Sequence, residues 1–522
     1  MNCNFDLCIL NFELTKNMKH KINFQTVVTN FIIFLLFVYP PSDYDFGWHL
    51  RYGQFFWENG RLLRDNILSY TMPFYHWVNH SWLYDLWFYP FFKIFGFLGV
   101  AILGPLIMFF AVKILFRAIK ASNPEQIMGA FLLSFLGSHS LNEGLRSRYP
   151  IFIFLALLYF FLTKIKEGRK SYLYFLPLLL FIGANLHGQF SIGLLYLFLV
   201  WIVMTYDAFK NPKKNFRNWI MLAITGLISG AITIVNPFGA QIFGEALKHA
   251  VNPNLTLVVE YFPPDLTSIY GIGLIIYTTA IICSLFFFRN PEFLKEALPL
   301  IPFAYMAFSA RRNIIFFIIF SAPLFFKMLH PYFERLSKDI PLRPPRPAST
   351  RGELGEAGSE ASNFQKISAL LISGFFVILV FRLVPFNLLS YDWNAYCNFS
   401  SGCSEGATKY LTKNVPKGLG FTYYDWGGYL TWRFPQKKTF IDGRMHLWQI
   451  QNHYIMQEHE KLITASGDWE TLFRDFDFSW ALLPVNSNLA GKIELLVQNG
   501  LWEKVFQDDK AVIYVRMIPK PK

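Results

Sequence analysis

Two carboxylates two residues apart, Asp43 and Asp45, stand directly behind the first long apolar run of the chain, and His49 and Arg51 follow at once. Ionisable groups at the mouth of a membrane helix are costly and are kept where they have a task. Carboxylates at this spacing can grip Mg²⁺ or Mn²⁺ through oxygen. Alternatively, one of them can take a proton from a hydroxyl. Solvated interfacial carboxylates are common, so the pair gains meaning only if the rest of the chain brings partners to it.

Candidate partners occur at intervals along the chain. They are His80, Arg146 with Arg148, Asn185 with His187, Glu260, Arg311 with Arg312, and in the tail Asp425 and Asp442. A guanidinium is always charged and binds phosphate through two parallel hydrogen bonds, so outward-facing arginines at membrane depth suit a lipid phosphate. Each residue also has an ordinary reading. A histidine can be packed and hydrogen-bonded, and an arginine can snorkel to headgroups. Glu260 can pair locally, Asn236-Pro-Phe-Gly239 can be a turn that ends a helix, and Asp442-Gly-Arg444 can be a hairpin corner. The functional case rests on the constellation.

Whether these residues can meet depends on topology. The 522 residues are 53% hydrophobic and 16% charged, with a mean hydropathy of +0.30. A soluble protein carries about 25% charged residues. The composition therefore predicts a polytopic α-helical membrane protein, with about eleven spans at 22–40, 97–117, 126–140, 149–164, 171–185, 189–207, 218–236, 266–288, 297–311, 313–328 and 366–386. The first is expected to be a retained helix and not a cleaved signal, because it ends in Tyr-Pro-Pro with no small-residue cleavage site. Trp82 to Phe95, with Asp85 and Lys93 among aromatics, predicts an amphipathic helix on the outer surface.

With the N-terminus cytoplasmic, the loops rich in Lys and Arg fall inside, as the positive-inside rule requires, and account for most of the net charge of +13. That charge therefore gives no case for nucleic acid. Every candidate site residue falls outside. Residues 1–390 are expected to form the membrane domain, with 341–363, rich in Pro, Arg, Gly, Ser and Glu, as a disordered cytoplasmic loop. Residues 391–522 are expected to form a small extracytoplasmic α/β domain. Its strands are expected at 418–424, 438–442, 480–484 and 511–516, and its helices at 454–464, 469–475 and 489–499. Cys397 and Cys403, on the exported side, are close enough in sequence for a local disulfide.

The run Asp43-Tyr-Asp45-Phe-Gly-Trp48-His49-Leu-Arg51, followed by Asn59-Gly60, Asp65, Ser69-Tyr-Thr71 and Trp77-Val-Asn-His-Ser-Trp82, resembles the first external loop of the GT-C membrane glycosyltransferases. More closely it is similar to the bacterial RgtA/B/C/D-like branch. Asn185-Leu-His187-Gly188, Asn236-Pro-Phe-Gly239, Glu260-Tyr-Phe-Pro-Pro and Arg312-Asn313 resemble that group too. The resemblance implies a many-helix fold, sugars carried on polyprenyl phosphate, inversion at the anomeric carbon, and an acidic residue of the first loop as the catalytic one. That residue maps to Asp43 or Asp45, with Asp45 favoured because Trp48 and His49 follow at the family's spacing. In that family two tryptophans often precede the histidine, whereas here Gly47 takes the first place. Tyr423-Tyr-Asp425-Trp-Gly427-Gly-Tyr429 is more loosely similar to the Trp-Trp-Asp-Tyr-Gly signature of oligosaccharyltransferase catalytic subunits.

The expected activity is transfer of a sugar from a polyprenyl-phosphate donor to an external glycan, lipid or protein acceptor, at the plasma membrane. Asp45, Asp43 and His49 are the expected catalytic set, with Asp43 and Asp45 as ligands of any divalent cation. Arg146, Arg148, Arg311 and Arg312 are expected on the donor phosphate, and His80, Asn185, His187, Glu260, Asp425 and Asp442 around the acceptor. A lipid-linked-sugar flippase would place ionisable groups at mid-depth and on both faces. A non-catalytic scaffold would need no convergence of these residues at all.

Overall fold

A computed structural model of the chain describes residues 24–338, 388–400, 402–450 and 453–517. The expected span at 366–386 and the expected loop at 341–363 lie outside them. Each of the other ten apolar segments contains a helix. Among the described residues five helices are long and apolar enough to cross a membrane: Trp82–Ala118, Tyr149–Lys166, Phe190–Lys210, Ile269–Phe288 and Arg311–Glu334. Phe24–Leu35, Asn123–Leu136, Phe175–Leu186 and Ile301–Ser309 are shorter. The Pro212–Ile232 helix begins with a polar, basic turn, PKKNFRNW. Large apolar side chains point out of the bundle, with Leu227 76%, Phe286 74% and Ile276 64% exposed. Such positions suit a lipid solvent, not water.

Trp82 to Phe95 is helical, as expected. At Gly96 (φ 57°, ψ −155°), a conformation that a side chain would oppose, the chain kinks, and a second helical stretch runs on to Ala118. Asp85 is fully buried, because its carboxylate meets His49 inside the protein. Tyr84, Phe88 and Tyr89 of the same stretch are also buried, whereas Lys93, Ile94 and Phe95 are exposed.

The tail carries a four-stranded sheet of β1 (Gly420–Thr422), β2 (Trp480–Pro484), β3 (Trp502–Gln507) and β4 (Ala511–Arg516), in the order β1-β2-β4-β3. β1 and β2 are parallel, and β4 lies antiparallel to both β2 and β3. The helices Ile455–Thr464, Trp469–Asp475 and Asn488–Gln498 accompany it, near the expected positions. β3 was not expected. Its Glu503 and Lys504 are exposed, and charge on an edge strand hides the alternation that marks a strand. Residues 438–442 do not join the sheet. They pair instead with the first loop, where Tyr70 N–H donates to the Thr439 carbonyl at 3.1 Å and Thr439 N–H to that of Leu68 at 3.2 Å.

Tail and first loop thereby share one apolar core. Trp48, Tyr52, Leu63, Met72 and Trp77 of the loop pack with Phe421, Phe440, Ile441, Met445 and Trp448 of the tail. Cys397 and Cys403 are both buried and joined by a disulfide.

Candidate active site

The turn bearing Asp43 and Asp45 is held from three directions. The Tyr391 hydroxyl donates to the Pro41 carbonyl at 2.6 Å, and the Tyr396 hydroxyl donates to that of Asp43. Ser42 N–H donates to the Glu143 carbonyl at 2.9 Å, which ties this turn to the loop that carries Arg146. Asp45 then caps the Phe46–Asn59 helix, and its own N–H donates to Asp43 Oδ1 at 3.2 Å. The Tyr424–Arg433 helix of the tail lies across this one. A Cβ on Gly47 would stand 2.1 Å from the Gly428 carbonyl oxygen, and one on Gly428 would stand 2.3 Å from that of Tyr44. No tryptophan fits at position 47, and Gly428 of the tail signature serves this close crossing, while Gly427 packs against the Ile441 carbonyl within the tail.

Arg146 is the centre of the charged cluster. Its Nε lies 3.0 Å from Asp43 Oδ1 and its Nη2 3.2 Å from Asp45 Oδ2. Its Nη1 lies 2.5 Å from Glu143 Oε2 and 3.9 Å from Glu260 Oε2. Glu260 in turn binds Arg148 at 3.3 Å and Arg312 at 2.8 Å. Four carboxylates thus surround three guanidiniums, so the cluster carries one negative charge in excess when all are ionised. Burial pushes Glu143 up to about 7 against the pull of Arg146. Burial also raises Asp43, again against Arg146. Burial acts in the same sense on Glu260, but Arg312, Arg148 and Arg146 outweigh it and hold that carboxyl below its ordinary range. Arg148 Nη1 is buried and has no hydrogen-bond partner among the described residues, a spare donor at the cluster's edge.

Asp43 is almost wholly enclosed, whereas the Asp45 side chain is 24% exposed. Asp45 Oδ1 accepts from Trp48 Nε1 at 2.8 Å. It also lies against Gly443, where a Cβ would come within 1.9 Å of it. Gly443 is placed by the pair Asp442–Arg444 (2.7 Å), which is buried with the guanidinium over the rings of Trp77 and Trp448 at 4.9 and 5.2 Å.

Four imidazoles line the adjoining surface. The rings of His80 and His187 are 5.0 Å apart, those of His80 and His249 5.6 Å, and those of His249 and His446 5.5 Å. His446 Nδ1 donates to the Gly443 carbonyl at 2.8 Å, which leaves Nε2 as an acceptor; it is buried and unpartnered among the described residues. His249 Nδ1 meets the Tyr261 hydroxyl at 2.5 Å, and Arg312 stacks over the Tyr261 ring. Burial lowers His187, His249 and His446, and takes His80 down to about 4 with help from Arg312. The wall is therefore neutral at physiological pH. Burial pushes Asp425 up to about 6, with the Asp45 charge acting in the same sense.

Asp43, Asp45, Arg146, Arg148, Glu260 and Arg312 therefore converge, with His80 and His187 alongside. Five other expected residues lie elsewhere. Arg311 turns to the Pro263 carbonyl at 3.2 Å, because successive residues of a helical turn point different ways. Asn185 donates to the carbonyls of Phe181 and Val235, joining two helix ends. His49 is buried beneath the site, its Nδ1 2.5 Å from Asp85 Oδ1, and Asn79 holds the other Asp85 oxygen at 2.6 Å. Asp442 is fully enclosed and bonded to Arg444. Asn236 brackets its own turn, accepting from Phe238 N–H at 2.8 Å.

Glu143, Asp85, His249, Tyr261 and His446 complete the site and its support. Glu143 stood beside Arg146 in the same outer loop, three residues away. His249 ends the amphipathic Gln241–Val251 helix, and its facing partner lies far off in sequence.

The donor atoms do not suit a divalent cation as they stand. Both Asp45 oxygens and both Glu260 oxygens already accept from Trp48 or an arginine. The Arg146 guanidinium fills the position between the carboxylates. Among the described residues no three His, Cys, Asp or Glu side chains are grouped to hold a metal.

No family model matches the chain, and no curated protein does. Solved structures do. The oligosaccharyltransferase of Archaeoglobus fulgidus, tethered through a disulfide to an acceptor peptide containing the NVT sequon, superposes with a TM-score of 0.52 at 11% identity, over 88% of this chain and 68% of that one. Its apo form gives 0.51 at 10% identity, over 89% and 70%. At this identity the likeness is one of fold. The chain has an oligosaccharyltransferase-like fold. It is the looser of the two resemblances that the structure carries.

Proposed function

We propose that the protein is an integral membrane glycosyltransferase that moves a sugar from a polyprenyl-phosphate donor to an extracytoplasmic glycan, lipid or protein acceptor. The observation that carries this reading is the meeting of Asp45, Glu260, Arg148 and Arg312, from four outer loops, around Arg146 at one end of the bundle. The oligosaccharyltransferase-like fold agrees with it. Asp45, the more open of the paired aspartates, takes the proton of the acceptor hydroxyl or amide. The acceptor atom forms its bond to the anomeric carbon as the bond from that carbon to the phosphate oxygen breaks, with inversion. The electron pair leaves on the phosphate, held by the spare Nη1 of Arg148 and by Arg312. Glu260 keeps the two arginines at a fixed separation, and the neutral imidazole wall meets the acceptor with hydrogen bonds and no charge. No step requires a metal.

In this reading the cluster faces the exterior of the plasma membrane, the N-terminus is cytoplasmic, and the tail beyond residue 390 forms an extracytoplasmic domain over the site. A scaffold leaves the convergence without a purpose. Comparison of glycolipid and glycoprotein profiles from intact cells with and without the protein tests the reading. Loss of one sugar from an exported glycan supports it, and identical profiles contradict it.

A further inference from the structure

The opposite end of the bundle holds a second built site, independent of the transferase reading. The Tyr149–Lys166 helix begins beside the charged cluster, at Arg148, and ends about 27 Å away along its axis, close to the thickness of a bilayer's hydrocarbon core. There a cavity of about 340 Å³ opens between the Trp82–Ala118, Tyr149–Lys166, Phe190–Lys210, Pro291–Ala297 and Ile314–Lys338 helices. Lys120, Lys166 and Lys327 stand around it, and Tyr159 and Tyr196 line it.

The charges of this site do not cancel. Lys327 pairs with Glu296 at 2.8 Å, and Glu167 pairs with Lys164 at 2.8 Å. Both carboxylates that line the cavity are thereby engaged. Lys120 and Lys166 have no ion-pair partner among the described residues. The Tyr196 ring is 94% buried, stacked on Phe320 at 3.9 Å, and its hydroxyl has no hydrogen-bond partner among the described residues. Two free ammonium groups and a rigidly held hydroxyl form a recognition set for a phosphate. The floor is apolar, formed by Leu162, Val200 and Leu324. A free phosphate gains nothing from such a floor, whereas the glycerol and first methylenes of a lipid would cover it.

We infer that this cavity binds the phosphate headgroup of an anionic membrane lipid, on the membrane face opposite the carboxylate–arginine cluster. The lipid would neutralise Lys120 and Lys166 and fill the gap between the helix ends.

The test is native mass spectrometry of the full chain released from bilayers of equal phosphatidylglycerol and phosphatidylcholine. The wild type is expected to retain one phosphatidylglycerol in preference to phosphatidylcholine. Lys120→Gln with Lys166→Gln should lower that preference about thirtyfold, from about 1 kcal/mol for each lysine near the surface. Lys120→Arg with Lys166→Arg should keep it. So should Lys213→Gln with Lys214→Gln, on a basic turn that does not line the cavity. If the double glutamine variant does not fold, Lys120→Gln alone, in an exposed turn, is expected to lose about fivefold. Undiminished preference in the glutamine variants, an equal loss in the Lys213/Lys214 control, or displacement of the lipid by inorganic phosphate at comparable concentration would each overturn the inference.

Discussion

Arg146→Met removes the cation on which the carboxylate cluster depends. The arginine side chain is 15% exposed and reaches Asp43, Asp45 and Glu143 within 3.2 Å. A methionine of similar length keeps the packing but leaves three carboxylates facing one another. Removing one partner of a buried ion pair costs about 3–5 kcal/mol. Further protonation of Glu143, already raised to about 7, limits the loss to the lower part of that range. The expected loss is therefore about 3 kcal/mol. A second substitution, Glu143→Gln, removes one uncompensated charge and should restore about 1 kcal/mol in the Arg146→Met background while destabilising the wild type. The assay is equilibrium unfolding of both single variants and the double variant in detergent at pH 7. A loss below about 1 kcal/mol for Arg146→Met, or strict additivity in the double variant, would refute the reasoning.

Two further outcomes follow from the same geometry. Gly443→Ala places a methyl group 1.9 Å from Asp45 Oδ1 and must turn that carboxylate. Transfer is expected to fall at least about tenfold, at a stability cost of about 1–3 kcal/mol; unchanged turnover would show that the Asp45 position does not matter. His459, which accepts from Tyr424 N–H, is held neutral by burial with its pKa down to about 3, and His80 is held to about 4. The unfolded chain binds the additional protons, so their contribution is complete above about 6.5 and is lost as the pH falls through 4 and then 3, with a slope of up to about 1.4 kcal/mol per pH unit for each group. Asp425, raised to about 6, works the other way: its contribution is complete below the ordinary carboxylate range and is lost as the pH rises through 6. His459→Gln keeps the acceptor and should make the acid limb shallower in pH-dependent unfolding; an unaltered limb would contradict the assignment.

The sequence was most legible where one physical constraint acts alone. Long apolar runs and the basic loops between them gave the helices and a single candidate face, and part of the set drawn from that face, Asp43, Asp45, Arg146, Arg148, Glu260 and Arg312, meets in the structure. Arg146 reaches Asp45 across 101 residues of chain, and no local pattern encodes such a contact. Asn185 and Asp442 were polar residues of the expected kind at the expected face, yet one joins helix ends and the other supports a turn. Residue type identifies a group that needs a partner; only packing decides whether that partner is backbone, a neighbour or a substrate. His446 was hidden for a related reason, since its meaning depends on His249 and Tyr261, nearly two hundred residues earlier in the chain.

The reading stands or falls on Asp45. Full-length protein in bilayers, supplied with lipid-linked sugars extracted from the same membranes, can be assayed for transfer beside its Asp45→Asn variant. Circular dichroism and unfolding of both establish that the variant retains the fold. Asp45→Asn is expected to keep its helices and to lose transfer by about 10²-fold or more, the usual scale of a lost general base. Transfer at the wild-type rate by a folded Asp45→Asn protein would contradict the reading.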